Sequence, residues 1–140
     1  LFGKDIIIFK PQNFMNLSGN PVKKLRNYFK IENTLDIIII HDDIDMEFLK
    51  LRVKLNGGHG GHNGVRDTIK FNGKDFYRVK LGISNKQLKE KKVKPETFVL
   101  NKFDKFEREV IEEFKTLANK YFEHLILKEF SLFKTRISVG

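Results

Sequence analysis

Two short apolar runs predict strands that are buried on both faces of a sheet. They are residues 5–9 (DIIIF) and residues 36–40 (DIIII), and each is rich in β-branched side chains. Unbroken apolar runs of this length, bounded by polar or turn residues, are typical of parallel strands covered on both sides. The second run is followed by HDDID at residues 41–45, which we interpret as an acidic turn at the carboxyl end of a strand. In open α/β sheets, binding sites lie at such ends.

Two later segments alternate instead between apolar and basic residues. Residues 50–55 (KLRVKL) and 76–83 (FYRVKLGI) each place apolar side chains at every second position. This period predicts strands with one face on the core and one face toward solvent. The predicted outward residues are basic: Lys50, Arg52, Lys54, Arg78 and Lys80.

Segments whose apolar residues have helical spacing lie between and after these strands. A first helix is predicted to begin at Pro21, with Ser18 or Asn20 as its capping residue. Residues 64–71 are predicted to form a second, short helix. Asp104 with a glutamate three positions later predicts a capping box, after which an aromatic stripe continues to about residue 127. We expect that stripe to be core, and we expect a last short helix in residues 129–139. Strands that alternate with helices predict an α/β fold in a single domain.

Composition narrows the class of protein. The 140 residues are 40% hydrophobic and 32% charged, which favours one globular domain. The chain has no cysteine, as expected for a reducing cytoplasm, and no apolar run is long enough for a signal peptide or a membrane span. The formal net charge of +9 indicates a polyanionic partner, and nucleic acid is the partner we expect.

The stretch LNGGHGGHNG at residues 55–64 is the strongest candidate for a site. Five of its ten residues are glycine, and they alternate with two histidines and two asparagines. Glycine is used where φ must be positive or where a ligand must approach the backbone closely. Imidazole and carboxamide groups both donate and accept hydrogen bonds. We therefore interpret this stretch as a tightly folded loop that presents polar groups to a ligand.

Several kinds of chemistry fit the sequence poorly. The loop lacks the endings of phosphate-binding motifs, and no serine or cysteine has the context of a nucleophile. A metal site is conceivable from five residues, but two of them lie in a glycine-rich loop and are not fixed on a helix. Those five are His41, Asp42, Asp45, His59 and His62. What remains is a site of amides and a carboxylate, built from Asn16, Asp42, His62 and Asn63.

These positions resemble the signature blocks of bacterial-type peptidyl-tRNA hydrolase. The blocks are FMNLSG (residues 14–19), HDDID (41–45) and GGHGGHNG (57–64), followed in order by FYRVKLGI (76–83) and FVL (98–100). The resemblance covers the whole chain. It implies a single α/β domain with a twisted mixed sheet flanked by helices. It also implies cleavage of the ester between a peptide and the 3′ ribose of tRNA, without a metal or cofactor, by a monomer in the cytoplasm.

The resemblance also implies roles for individual residues. Asn16 and Asn63 would hydrogen-bond the peptide and the 3′ end of the tRNA, with Phe14 and Met15 lining the pocket and His62 beside them. Asp42 would orient the family's catalytic histidine. Lys54 and Lys80 match positions at which the family carries basic residues near tRNA phosphates. We add Arg78 to this predicted tRNA surface because it shares the polar face of Lys80.

Two departures from the family pattern stand out. The family's catalytic histidine lies in a Thr-Arg-His-Asn block after a Gly-Asn-Pro-Gly turn, and none of the four histidines of this chain matches it. We therefore expect an N-terminally truncated, inactive chain. After Gly82 the family usually continues Ile-Gly-x-Pro, whereas this chain reads ISNKQ. The basic residues 86–94 are the best candidate for a lid or a linker.

Two other functions remain open at this point. A non-catalytic RNA-binding module would also have basic strand faces and a pocket that grips a 3′ end. A metal-dependent hydrolase is the less favoured alternative, and a chelator would distinguish it.

Overall fold

The structure is a computed structural model that describes residues 3–12, 14–90 and 92–138, without the side chain of Gln87. Its strands are β1 (Ile38–Glu47), β2 (Leu51–Leu55) and β3 (Tyr77–Ser84). Its helices are α1 (Gly19–Tyr28), α2 (Asn63–Asn72), α3 (Lys86–Lys89), α4 (Pro95–Phe98), α5 (Lys105–Lys120), α6 (Phe122–Ile126) and α7 (Phe130–Ile137). Short 3₁₀ turns cover Met15–Leu17 and Thr34–Asp36.

The described strands form one sheet in the order β1-β3-β2, so that β3 is central. The Gly82 N–H donates to the Lys50 carbonyl at 2.8 Å. The Asn56 N–H donates to the Phe76 carbonyl at 3.2 Å. One strand therefore ascends in sequence while the other descends, and β2 is antiparallel to β3.

The pairing of β1 with β3 has the opposite sense. The Tyr77 N–H donates to the Ile37 carbonyl at 3.0 Å, before β1 begins. After β1 ends, the Phe48 N–H donates to the Ser84 carbonyl at 3.1 Å. Both strands therefore advance in the same direction, and β1 is parallel to β3. Because β2 is antiparallel to β3, the sheet is mixed. The predicted α/β class with a mixed sheet is confirmed.

The chain forms two compact units. The first contains the described residues of Leu1–His41 and Val53–Val79, and the second those of Asp42–Arg52 and Lys80–Gly140. In the first unit α1 packs on α2, and the Met15–Leu17 turn also packs on α2. Val22, Val65, Phe76 and Val79 are buried in this unit.

The start of α1 is held by side chains of α2. The Asp67 carboxylate accepts from the Gly19 N–H at 2.7 Å, which satisfies one of the free donors of the first turn. A Cβ at Gly19 would lie 2.1 Å from the Asp67 carbonyl oxygen, so only glycine fits there. Ser18 occupies the N-cap position but does not cap, because its hydroxyl donates to the Met15 carbonyl at 2.6 Å.

The second unit is built on α5, α6 and α7, which pack on one another. The predicted capping box at the start of α5 is confirmed: Asp104 accepts from the Glu107 N–H, and Glu107 accepts from the Asp104 N–H. The buried apolar side chains of this unit are Leu51, Leu125, Phe133 and Ile137. A last helix was expected in residues 129–139, and α7 confirms it; Val139 lies outside the described residues.

The expectation of a buried strand in residues 5–9 is wrong. This segment has no regular secondary structure, and Ile8 is 77% exposed. A β-branched run favours a strand only where a neighbouring strand supplies hydrogen bonds and a packed face. None of the three described strands includes or pairs this segment within the sheet.

The predicted acidic turn is also wrong. The HDDID residues 41–45 lie inside β1, which continues to Glu47. Aspartate disfavours strands, but an ion pair with a neighbouring strand can offset that preference. The Asp43 carboxylate has such a pair with Lys80 of β3, at 3.0 Å.

The aromatic stripe of the last third of the chain is less buried than expected. α5 ends at Lys120, and none of its residues is buried; Phe106 is 72% exposed. The chain turns at Tyr121 and again after Leu127, where Lys128 has a φ of 59°. The stripe therefore belongs to two helices, α5 and the short α6, and not to one long helix.

Candidate functional site

The glycine loop folds around its own histidines. The His59 Nδ1 atom accepts from the Gly61 N–H at 3.0 Å, and the His59 carbonyl accepts from the His62 N–H at 3.0 Å. Gly60 and Gly61 have φ values of 58° and 81°, which L side chains rarely adopt. The repeated Gly-Gly-His motif therefore encodes a tight turn that ends at the residue before α2.

His62 caps α2. Its Nδ1 atom accepts from the Val65 N–H at 3.2 Å, so the imidazole takes the place usually held by Ser, Asp or Asn. Nδ1 must therefore be the unprotonated nitrogen in this arrangement. The His62 ring also lies against the ring of His41 on β1, with centroids 4.7 Å apart in an edge-to-face arrangement.

The Met15–Leu17 turn is seated on the beginning of α2. A Cβ at Gly64 would lie 2.6 Å from the Met15 Sδ atom and 3.0 Å from its carbonyl oxygen, so the turn approaches α2 as closely as glycine permits. Asn16 is the central, exposed residue of this turn. Asn63 is the first residue of α2, and its Oδ1 atom accepts from Arg66 at 2.8 Å.

The fold therefore brings most of the predicted substrate residues into one region of the first unit. Phe14 is 82% exposed and Met15 is 60% exposed beside the start of α2. Both apolar side chains are open to a ligand. Asp42 is half-buried and directly follows His41 in β1. Its predicted role toward a catalytic histidine stays a prediction.

The three predicted tRNA-contacting residues have different surroundings. Lys54 is exposed on β2, as the alternation predicts. Lys80 is largely buried and donates to Asp43 at 3.0 Å. The predicted outward orientation of Arg78 is wrong, because its side chain is 1% exposed. As the central strand of the sheet, β3 has buried residues on both faces, and the alternating pattern cannot reveal this.

The buried Arg78 guanidinium binds the glycine loop. One of its terminal nitrogens donates to the Gly58 carbonyl and the other to the Gly57 carbonyl, the latter at 2.6 Å. The guanidinium carbon lies 5.1 Å from the centre of the Phe76 ring. Burial lowers the pKa of Arg78 from its usual value.

The predicted lid contains one short helix, α3. Lys89 pairs with Glu47 at 3.0 Å, and Glu90 pairs with Lys86 and with Lys92. Lys91, which belongs to the same predicted segment, lies outside the described residues. The behaviour of this segment as a lid stays a prediction.

Metal-ligating side chains do not cluster in the part of the chain that the structure describes. No three His, Cys, Asp or Glu side chains in those ranges lie close enough together to hold a metal ion. The described helices are also too short or too polar for a membrane span, since none combines the length and apolar character needed.

A family model described as peptidyl-tRNA hydrolase matches residues 1–138. The chain belongs to the peptidyl-tRNA hydrolase family. The resemblance of the sequence blocks to this family is therefore confirmed over almost the whole chain.

Curated relatives named peptidyl-tRNA hydrolase have similar sequences. The protein of Campylobacter hominis is 40% identical over 139 residues, which is 99% of this chain and 60% of the relative. The protein of Fusobacterium nucleatum is 46% identical over 85 residues, which is 61% of this chain and 44% of the relative. The chain spans about half the length of the curated relatives that it matches.

A solved member of the family has a similar fold. The crystal structure of peptidyl-tRNA hydrolase from Acinetobacter baumannii matches with a TM-score of 0.74 and 31% sequence identity. The match covers 91% of this chain and 63% of the solved chain. This similarity supports the confirmed α/β fold.

Sequence reasoning missed three contacts made by residues of the predicted sites. Arg66 binds Asn63, Asp43 pairs with Lys80, and Arg78 holds the glycine loop. The spacing of Asn63 and Arg66 by three positions on a helix was a usable signal, since such residues are neighbours. The other two contacts join residues about 20 to 37 positions apart, so no local pattern could have revealed them.

Proposed function

We propose that the protein hydrolyses the ester bond between a peptide and the 3′ ribose of tRNA, which recycles tRNA during translation in the cytoplasm. The observation that carries this proposal is the seating of the Met15–Leu17 turn on α2, which places the signature residue Asn16 beside the helix that begins at Asn63. We propose that the enzyme acts as a single-domain monomer without a metal or cofactor.

Asn16 and Asn63 would recognise the substrate through hydrogen bonds. A carboxamide donates to a carbonyl and accepts from an amide at the same time, which is what recognition of a peptide bond requires. Phe14 and Met15 provide exposed apolar surface for the first side chain of the peptide. The edge-to-face pair of His41 and His62 would form the adjoining wall.

Catalysis would need a general base that none of these 140 residues supplies in the family's motif. His59 and His62 accept backbone hydrogen bonds within the loop, and His124 is paired with Glu129 at 2.7 Å. We propose that the base comes from a Thr-Arg-His-Asn block like that of the family. Asp42 would orient it and stabilise its protonated form.

The phosphates of the tRNA would contact Lys54 and Lys80. Lys54 is exposed and can meet a phosphate without rearrangement. Lys80 would have to exchange Asp43 for a phosphate, since both are anionic partners of the same ammonium group. The net charge of +9 favours association with RNA at low salt.

Release of tRNA from N-acetyl-phenylalanyl-tRNA tests the proposal. The 140-residue chain is compared with a chimera that adds the part of the Campylobacter hominis relative that this chain does not match, since the match covers 99% of this chain and 60% of that relative. We expect the chimera to hydrolyse the ester and the shorter chain to be slower by about 10²–10⁴-fold, the usual contribution of a general base. A chimera that folds and binds tRNA but leaves the ester intact would contradict the proposal.

Binding of tRNA without catalysis is the second candidate function for these 140 residues. The engagement of His59, His62 and His124 in structural hydrogen bonds favours it. In that case both proteins bind the tRNA 3′ end and neither hydrolyses the ester.

A further inference from the structure

The glycine loop has little packing of its own. A Cβ added at Gly57, Gly58, Gly60 or Gly61 would meet no atom within 4 Å, so the loop is bordered by open space on these sides. Asn56, Gly57, Gly60 and Gly61 all have positive φ. A segment with several left-handed residues and little packing has many alternative conformations, and it needs specific contacts to stay in one.

Arg78, on the neighbouring strand β3, supplies such contacts. Its two terminal nitrogens bind the carbonyls of two consecutive residues, Gly57 and Gly58. The planar guanidinium fork fixes both acceptors at once, which a lysine ammonium group cannot do. The side chain is 1% exposed and packs on the buried Phe76 ring, so the fork is itself held rigidly.

This anchor constrains the residues that come next along the chain. Gly58 directly precedes His59, whose Nδ1 atom and carbonyl organise the turn up to His62. His62 in turn caps the helix that begins with Asn63. Every contact in this series lies within the first unit. Each contact limits the conformation of the residues that follow it in the chain, up to the proposed substrate site at the start of α2.

Burial of a guanidinium is costly unless hydrogen bonds compensate for the lost hydration. The carbonyls of Gly57 and Gly58 provide that compensation for the two terminal nitrogens, whereas the buried Nε atom has no hydrogen-bond partner among the described residues. A buried charge whose hydrogen bonds go to loop carbonyls contributes to loop conformation more directly than to core packing.

We infer that Arg78 is a positioning residue, which holds the glycine loop so that His62 and Asn63 face the peptidyl end of the substrate. The inference rests on the proposed function for the identity of that substrate. It replaces the predicted role of Arg78 in contacting tRNA phosphates, because a side chain that is 1% exposed does not reach a polyanion at the surface.

Hydrogen exchange of the loop amides tests the inference on the 140-residue chain. Arg78→Met keeps a long apolar stem but removes both donors. The control is Asn72→Ala, which removes a buried amide of the same unit that binds the Gly19 and Thr68 carbonyls, away from the loop. We expect the amides of Gly61 and His62 to exchange about ten-fold faster or more in Arg78→Met than in the control, since a charged hydrogen bond is lost.

Equal exchange rates of the loop amides in the two variants would overturn the inference, provided that the two variants have the same thermal stability. If Arg78→Met does not fold, Arg78→Lys takes its place, because lysine keeps the charge but cannot bind both carbonyls with a planar fork. Added methylguanidinium should restore slow loop exchange in Arg78→Ala and leave Asn72→Ala unchanged. A failure of this rescue in a folded Arg78→Ala variant would also count against the inference.

A binding measurement separates this inference from the proposed function. The probe is N-acetyl-phenylalanine joined through a 3′ amide to adenosine, which cannot be hydrolysed as an ester. We expect weaker binding by Arg78→Met than by Asn72→Ala. If wild type does not bind the probe but the loop still exchanges faster in Arg78→Met, the anchor stands and the proposed substrate is wrong.

Discussion

The Lys80 ammonium group lies 3.0 Å from the Asp43 carboxylate, and the two side chains are only 16% and 12% exposed. Such a pair has lost much of its hydration, so each charge depends on the other more than in a surface ion pair. Removal of one partner leaves a poorly solvated charge, whereas removal of both leaves none.

A double-mutant cycle should reveal this dependence. We expect Lys80→Met to destabilise the fold by about 1–3 kcal/mol, because Asp43 then stays partly buried without that partner. The double variant Lys80→Met/Asp43→Asn should lose less than the sum of the single variants. Chemical denaturation of wild type, the two single variants and the double variant measures the cycle. Strictly additive losses would mean that the pair contributes no coupling.

The same pair predicts an unusual effect on RNA binding. Asp43→Asn should raise the affinity for tRNA, because it releases Lys80 to contact a phosphate.

Lys54→Ala should lower the affinity for tRNA and reduce the slope of log affinity against log salt by roughly 0.7–0.9. Lys115→Ala, which removes a lysine paired with Glu112 on α5, is the control of equal charge. If Lys54→Ala behaves like this control, the tRNA lies elsewhere.

Asn63→Asp separates recognition of the substrate from stability. The substituted carboxylate would face Arg66 at the first position of α2, where a negative charge is favoured by about 0.3–1 kcal/mol. We therefore expect a melting temperature at or above that of wild type. In the catalytic chimera we expect kcat/KM to fall strongly, because the amide donor is lost.

Asn16→Asp should also lower kcat/KM, and the exposed position of Asn16 predicts a near-normal melting temperature. Full activity of either variant would show that its amide does not read the peptide. A lower melting temperature with normal activity of the folded fraction would assign the residue to the fold.

Two glycines of the loop region should respond differently to alanine. Gly64→Ala places a Cβ 2.6 Å from Met15 Sδ, so we expect a loss of about 1–3 kcal/mol as the turn moves away from α2. Gly58→Ala meets no atom within 4 Å and requires no positive φ, so its free energy of unfolding should stay near that of wild type. Thermal melts compare the two, and equal losses would contradict the close approach of Met15.

The ion pair of Glu47 and Lys89 predicts a pH dependence. The hydrogen bond and charge of Lys89 lower the pKa of Glu47 below 4.5. A lowered pKa in the folded state stabilises the fold above pH 4.5, and this stabilisation is lost as the pH falls through the pKa of folded Glu47. NMR titration should show Glu47 protonating at higher pH in Lys89→Met than in wild type. Identical titration curves would exclude the contact.

The sequence by itself determined those features that depend on neighbouring residues. The α5 capping box, the start of α2 after the glycine loop and the existence of α7 all follow from spacings of a few positions. The signature blocks likewise predict Met15, Asn16, His62 and Asn63 as members of one site, and the Met15–Leu17 turn does pack on α2. Local hydrogen bonds and local steric preferences encode such features directly.

Tertiary structure alone decided which faces of the elements are covered. Alternation along residues 76–83 predicted an exposed Arg78, but β3 is the central strand and Arg78 is buried beneath the glycine loop. The apolar run of residues 5–9 predicted a strand, but no described strand pairs with it. Period-two patterns report the polarity of side chains, whereas burial depends on neighbours that are distant in sequence. The guanidinium of Arg78 and the ammonium of Lys80 therefore acquire their different surroundings only when the sheet and the loop have folded.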